Sequence, residues 1–352
     1  MERQALDINI STSTVVKIFA IGLFFVLVYL LRDVLLVLIF SIIIASAISP
    51  FADWLEKKKI PRLFSVLFLY LSVFALLVII LSLVVPFISM EISQLTVALP
   101  QFIANLSGAL EKAQQSTNTH YFDFFSEIQN LLDSFSQFLQ VSSQSVINLL
   151  INVFGGILSF IATIIISFYL SVMRRGIENF LKSVLPERYE DYVVSLWKRA
   201  EHKVGRWFQG QLLLALSVGV LVFVGLSLLH IKYALLLGIV AMILEIIPVA
   251  GPVISAIPGV ILAFAQSPAL GFWVLIFYIA IQQMEAHILT PLILGKSTGL
   301  NPIVVIIAVL IGGKMAGILG IIISVPIAVV IVEILEDMAK RKETRRSIVD
   351  VT

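Results

Sequence analysis

The stretch that decides the fold runs from Glu245 to Pro326. It opens Glu245-Ile-Ile-Pro248-Val-Ala-Gly251-Pro252, passes Ile257-Pro258-Gly259 and reaches Gln282-Gln283-Met-Glu285-Ala-His287. Thr290-Pro291-Leu-Ile-Leu-Gly295-Lys296 and Leu300-Asn301-Pro302 follow, and Gly312-Gly313-Lys314-Met-Ala-Gly317-Ile-Leu-Gly320 precedes Pro326. Nearly everything between these landmarks is Leu, Ile, Val, Ala or Phe. Acids, amides, Gly and Pro are costly at membrane depth unless protein or a water-lined cavity covers them. Many transporters build a site near the bilayer midplane from broken apolar helices with buried polar groups. The stretch therefore predicts broken or re-entrant segments near 251–266 and 300–314. Pro248, Gly251, Pro252, Pro258, Pro291 and Pro302 are the expected helix breaks.

The whole chain has the same character. Of 352 residues, 59% are hydrophobic and 13% charged, with a mean hydropathy of +1.05. A soluble domain is nearer half apolar and a quarter charged. The expectation is an all-α, polytopic integral membrane protein. With no Cys, there is no disulfide and no thiolate site. His120, His202, His230 and His287 are scattered, so neither a metal nor a cofactor is expected. The first apolar run, Val15 to Leu31, lacks a following cleavage site and reads as a retained anchor rather than a secretory signal.

A hydrocarbon core of about 30 Å takes roughly 17 to 25 apolar residues per helix. Eight runs qualify: 15–31, 34–50, 63–85, 146–173, 210–229, 233–250, 268–291 and one in 303–335. Only Arg32-Asp33 joins the first two, so one kinked helix over 15–50 is the alternative reading. With the amino terminus inside, 19 Lys and Arg fall on cytoplasmic segments and 5 outside, a strong positive-inside bias. Both termini are then cytoplasmic, in a multi-pass protein of the cell membrane. The chain divides into 1–86 (transmembrane helices 1–3), an external segment 87–145, and 146–352 (helices 4–8), with a cytoplasmic loop 174–209 and a basic C-terminal tail.

Two amphipathic stripes lie outside the spans. In 87–145, Leu95, Leu99, Phe102, Leu106 and Leu110 recur at helical spacing, as do Tyr121, Phe124, Ile128, Leu131, Phe135 and Phe138. This predicts an external helical hairpin. After Pro186, the residues Tyr189, Val193, Leu196, Ala200, Val204 and Trp207 share one face of a helix whose basic side is expected along the anionic inner leaflet.

The candidate site residues are polar groups in apolar runs. A buried acid costs about 2.5–3.5 kcal/mol on the insertion scale, while each Leu, Ile or Val returns about 0.3–0.6. The aliphatic residues around Glu245 offset it, so the span still inserts. Gln282 and Glu285 share one helix face, and Gln283 and His287 another. Counting 268–291 from its inner side places Glu285 about 22 Å up, nearer the outer surface than Glu245. The two acids are then separate stations, with Lys314 a possible counter-charge. The competing reading of Glu285 is a hydrogen-bonded acid–amide pair that holds helices together. Gly313 to Gly317 forms a small-xxx-small seam whose simplest role is close packing.

Gly295-Lys296-Ser297 imitates the tail of a phosphate-binding loop, but Thr290 stands where that loop needs Gly. The sequence holds no Ser/His/Asp arrangement, no His-Glu-x-x-His and no basic-aromatic surface for nucleic acid. The expected protein is not an enzyme.

The landmarks from Glu245 to Pro326 resemble the autoinducer-2 exporter family of permeases, the PerM-type proteins. Pro50 to Arg62, Gly205-Arg-Trp-Phe-Gln-Gly210-Gln211 and Leu235 to Gly259 extend the resemblance over nearly the whole chain. His287 and Asn301 depart from the family pattern of Asn and His. The resemblance implies a homo-oligomer, a ring among the options. It also implies export of a small polar solute, such as an autoinducer-2-type signal, or of a monovalent cation. On the residues, a proton-coupled secondary transporter comes first, with Glu245, Glu285, Gln282 and Lys314 at its site. The alternatives are a sodium or lithium/proton antiporter proper and a passive oligomeric channel.

Overall fold

A computed structural model describes residues 12–80, 82, 86, 90, 156–173, 175–248, 250–294 and 300–349. The expected external hairpin, Lys296 and the phosphate-loop imitation at 295–297 lie outside the described residues. The described chain is helical throughout: α1 (Thr12–Leu30), α2 (Arg32–Lys57), α3 (Arg62–Ile80), α4 (Ile157–Val172), α5 (Gly176–Val184) and α6 (Glu187–Leu228). It continues with α7 (Ala234–Leu244), α8 (Ala250–Gln266), α9 (Pro268–Met284), a π turn (Glu285–Leu289), α10 (Thr290–Ile293) and α11 (Pro302–Val349).

By length and composition five helices could cross a membrane, the doubled-back α11 among them, and α4 with α5, bent by 84°, would make a sixth. The all-α polytopic class is therefore present, with fewer long spans than the eight expected. Two of the expected spans account for the difference. The ladder runs on between α1 and α2, since Leu31 N donates to Leu27 O and Leu35 N to Leu31 O, both at 2.9 Å. Residues 15–50 are thus consecutive helix rather than two antiparallel spans. The expected span 233–250 contributes only the 11-residue α7.

Close backbone approaches set the directions of the remaining helices. Gly219 of α6 meets Met242 of α7, and Gly238 of α7 meets Phe223 of α6, so these helices are antiparallel. Gly225 of α6 meets Phe277 of α9, and Gly210 meets Leu294 beyond α10, so α9 also descends against α6. Gly259 of α8 meets Tyr278 of α9, and Gly271 meets Phe264, so α8 rises where α9 descends. Helices α7 and α8 therefore form a re-entrant hairpin. It enters from the end opposite the basic residues of α6, turns at 245–248 and returns to the end it came from. The re-entrant segment is longer than the expected 251–266, because α7 is its descending arm.

The last helix also doubles back. A continuous helix would hold residues 312 and 320 about 12 Å apart at 1.5 Å per residue. Instead the backbones of Gly312 and Gly320 touch, and Gly313 packs on Ile321. The reversal is at Ala316 (φ −143°) and Gly317 (φ 58°, ψ −138°), a few residues beyond the expected 300–314. Only glycine adopts the Gly317 conformation at low cost.

Several expected breaks are helix instead. Pro50 lies inside α2 and Pro258 inside α8, and neither ends its helix. Pro252 falls in the first turn of α8 and Pro302 at the start of α11, where the missing N–H had no intrahelical acceptor, whereas Pro291 lies within the continuous helical run Pro268–Ile293 just after the π turn. Pro248 alone lies in a non-helical break. The amphipathic residues 187–209 are not a separate surface helix, because they continue without interruption into the apolar half of the 42-residue α6. Of their apolar stripe, Ala200, Val204 and Trp207 are buried, Val193 and Leu196 are half-buried and Tyr189 is exposed.

Two clusters hold the bundle. One joins Val218, Val222 and Leu226 of α6, Leu237 and Ala241 of α7, Ala263 of α8, and Val274 and Ile281 of α9. The other joins Phe40 and Ile43 of α2 to Val204 of α6 and to Ile323 and Val329 of α11. The base of α11 is pinned to α6 by ion pairs. Arg199 reaches Glu333 at 2.7 Å and Asp337 at 2.6 Å, and Lys203 pairs with the same buried Glu333. Glu333→Ala leaves two cations facing each other, and their partial exposure keeps the expected cost to about 1–3 kcal/mol. Thermal unfolding of the purified protein should show a midpoint several degrees lower, whereas Glu336→Ala, on the exposed edge, should leave it unchanged.

Candidate functional site

The site lies where the α7–α8 hairpin turns, about 17 Å along α7 from its start. Helix α7 stops at Leu244 because Pro248, with no N–H, cannot continue the ladder. The chain turns through Ile246 and Ile247, and Gly251 fits under the carbonyl of Leu244, where a side chain would collide with backbone. Glu245 is thereby carried on the hairpin tip and is 1% exposed. Its backbone carbonyl, left over at the helix end, accepts a hydrogen bond from the buried Gln211 Nε2 of α6 at 2.6 Å.

Glu285 approaches from α9. Its side chain hydrogen-bonds that of Glu245. The expectation of two separate stations is therefore corrected. It rested on 233–250 being a full crossing, which turned 268–291 the wrong way up. With α7–α8 re-entrant, α9 starts at the far end, and its seventeenth residue after Pro268 reaches the hairpin tip. An ionised carboxylate only accepts hydrogen bonds, so two carboxyls bonded to each other hold a proton between them. The arrangement can take up and release a proton.

The backbone at Glu285 is also irregular. Residues Glu285–Leu289 make one π turn, in which Thr290 N donates to Glu285 O. This wider turn absorbs the donor lost at Pro291. Such turns occur often at functional sites. Outside it, Gln283 and His287 are exposed, and His287 Nδ1 lies 3.0 Å from Gln283 O. Gln282 is half-buried on the Glu285 face. Lys314 is exposed beside the reversal of α11, a helix packed on α2 and α6, and among the described residues it forms no ion pair with either acid.

Three buried side-chain oxygens near this tip have no hydrogen-bond partner among the described residues: Glu245 Oε2, Glu285 Oε2 and the hydroxyl of Tyr278. Leaving such a group unsatisfied costs about 1–3 kcal/mol. Sequence reasoning did not single out Gln211 or Tyr278 as site residues. Tyr278 had a signal, since it stands four residues before Gln282 and seven before Glu285, on one helix face. Gln211 had only its polarity at the start of an apolar run.

A bundle of apolar helices with two hairpins that double back, and an acid pair at the tip of one, fits the class of membrane transport proteins. The profile of the AI-2E family of transporters matches residues 18–340, and the chain belongs to that family. It is 34% identical to YueF of Bacillus subtilis over 284 residues, which cover 79% of this chain and 77% of that relative. To YrrI of the same organism it is 28% identical over 304 residues, covering 86% and 85%. A relative from Synechocystis, sll0063, is 27% identical over 299 residues, covering 83% and 75%. All three bear names of candidate transport proteins.

Proposed function

We propose that the protein is a secondary transporter that moves a small polar solute or a monovalent cation, and that the Glu245–Glu285 pair takes up and releases a proton in each cycle. The hydrogen-bonded acid pair at the tip of the re-entrant hairpin, with Glu245 buried and Glu285 half-buried, carries this reading. Gln211 fixes the backbone of Glu245, so the carboxyl is held while its partner comes from a different helix. The basic end of the bundle faces the cytoplasm, and export is the direction we assign. Assembly is as a homo-oligomer in the cell membrane.

Flux into proteoliposomes tests the reading. Sodium, lithium, potassium and autoinducer-type sugars are compared with and without an imposed proton gradient. Saturable flux that follows the gradient is expected. A large conductance indifferent to it would instead identify a passive pore.

Sidedness has its own test, helped by the absence of native thiols. Single cysteines at Ser195 and Ser347 should react with an impermeant maleimide only from the cytoplasmic side, and one at Ser116 only from outside. Labelling of Ser195→Cys from outside in intact cells would reverse the assigned orientation.

A further inference from the structure

The Tyr278 hydroxyl is buried without a hydrogen-bond partner among the described residues. Tyr278 is 7% exposed, and its ring lies on Gly259 of α8, where a methyl group would sit 2.5 Å from the hydroxyl oxygen. The hydroxyl therefore points into the seam between α8 and α9. That seam has a regular construction. On α8, Gly251, Ser255, Gly259 and Ala263 recur every four residues, so one ridge is entirely small. On α9, Tyr278, Gln282 and Glu285 recur at four and three residues, so one ridge is polar.

The two ridges face each other. Gly259 meets Tyr278, and Phe264 meets Gly271, which fixes an antiparallel register. Four residues further down, that register brings Ser255 opposite Gln282, and one turn further it brings the Gly251–Pro252 end of α8 to Glu285. Ser255 is 2% exposed, and its hydroxyl is occupied with Pro252 O at 2.9 Å. Small residues alone make only a packing seam. Here the small ridge faces the polar edge of α9, and the line ends on the unpartnered oxygens of Glu245 and Glu285.

We infer that the α8–α9 seam is the proton path between the far end of the bundle and the Glu245–Glu285 pair, with Tyr278 as its first buried hydroxyl. This rests on the proposal that the pair exchanges protons. Water molecules bridge the rungs at Tyr278, Ser255 and Gln282. Each hydroxyl or water accepts one proton as it passes its own onward, so no rung keeps a charge. The net change is one proton from the far aqueous phase added to a carboxylate of the pair. The small ridge of α8 makes the path narrow enough to exclude solutes larger than water, so proton and solute reach the site by different routes.

Time-resolved infrared difference spectroscopy tests this on the full protein, reconstituted in proteoliposomes in one orientation. The buffer at one end is stepped in pH, and the C=O stretch of protonated carboxyls is followed. Wild type should give a signal that Glu245→Gln removes or halves. If Glu245→Gln leaves the signal intact, the pair is not the exchanging group, and the proposed function fails with this inference. If the signal is lost in Glu245→Gln, the path itself is tested by Tyr278→Phe. That change keeps the ring on Gly259 and removes only the hydroxyl. The signal should rise roughly tenfold or more slowly after a step at the far end and at the wild-type rate after a step at the basic end. Gln282→Leu, which also lowers the insertion cost, should give the same one-sided slowing. Wild-type rates from the far end in both variants overturn the path, as does equal slowing from both ends.

Discussion

Glu245→Gln should abolish proton-coupled flux and leave the protein folded. Gln has nearly the size of Glu and keeps a carbonyl and a donor for the contact with Glu285, but it cannot ionise. It also removes an acid that is costly to bury, so expression and oligomeric state should match wild type. Loss of a positioned proton-transfer group typically lowers rate by roughly 100-fold or more. Flux in proteoliposomes, measured across a pH series at equal protein, should fall to the background of empty vesicles. Glu285→Gln should keep some flux with a changed pH dependence, because Glu245 then titrates beside a neutral amide instead of an acid. The double variant should be no worse than Glu245→Gln, since groups that act as one unit are not additive. If Glu245→Gln moves solute like wild type with the same pH dependence, the acid pair is structural and the coupling scheme is wrong.

The largest loss of stability is expected at the reversal of α11. Gly317 has φ 58° and ψ −138°, and Gly312 and Gly320 touch backbone to backbone. Gly317→Ala should cost about 1–3 kcal/mol through strain at an unfavourable conformation. Gly320→Ala should cost about as much through overpacking, because the contact is with backbone and cannot move aside. Combining the two should prevent recovery of folded protein. Gly22→Ala in α1 is the control, since nothing lies within 4 Å of the added methyl. Its helix should be unharmed or slightly firmer. Size-exclusion profiles and thermal unfolding after purification give the comparison. Wild-type stability in both Gly317→Ala and Gly320→Ala would mean that the helix runs straight through this point.

The class of the fold was legible because apolar runs and clustered polar breaks are properties of composition and spacing. Glu245 stood out for the same reason, since a lone acid among Leu, Ile and Val is costly. What the sequence concealed was direction. A run of 18 apolar residues such as 233–250 can cross a bilayer or form one arm of a hairpin. The difference lies in whether Gly251 packs beneath Leu244, a contact between neighbours that periodicity does not report. One such turn inverts every later helix, and so Glu285 was placed far from Glu245. Proline was misleading in the other direction. Pro50 and Pro258 look like breaks, yet each is accommodated inside a helix whose neighbours hold it. Gln211 was hidden because its role is to complete the carbonyl of a residue 34 positions away.

The two hairpins also have an electrical consequence. One enters from the far end and the other from the basic end, and each returns to the end it came from. Transmembrane voltage falls mainly across the low-dielectric part of a protein, and a full crossing is worth about 2.3 kcal/mol per elementary charge at 100 mV. The turn at Glu245 reaches inward from the far end and shortens the insulating distance beneath it. Under the proposed function, a proton that reaches the pair from the far end crosses part of the membrane potential on its way. The affinity of the pair for protons is then tied to voltage as well as to pH.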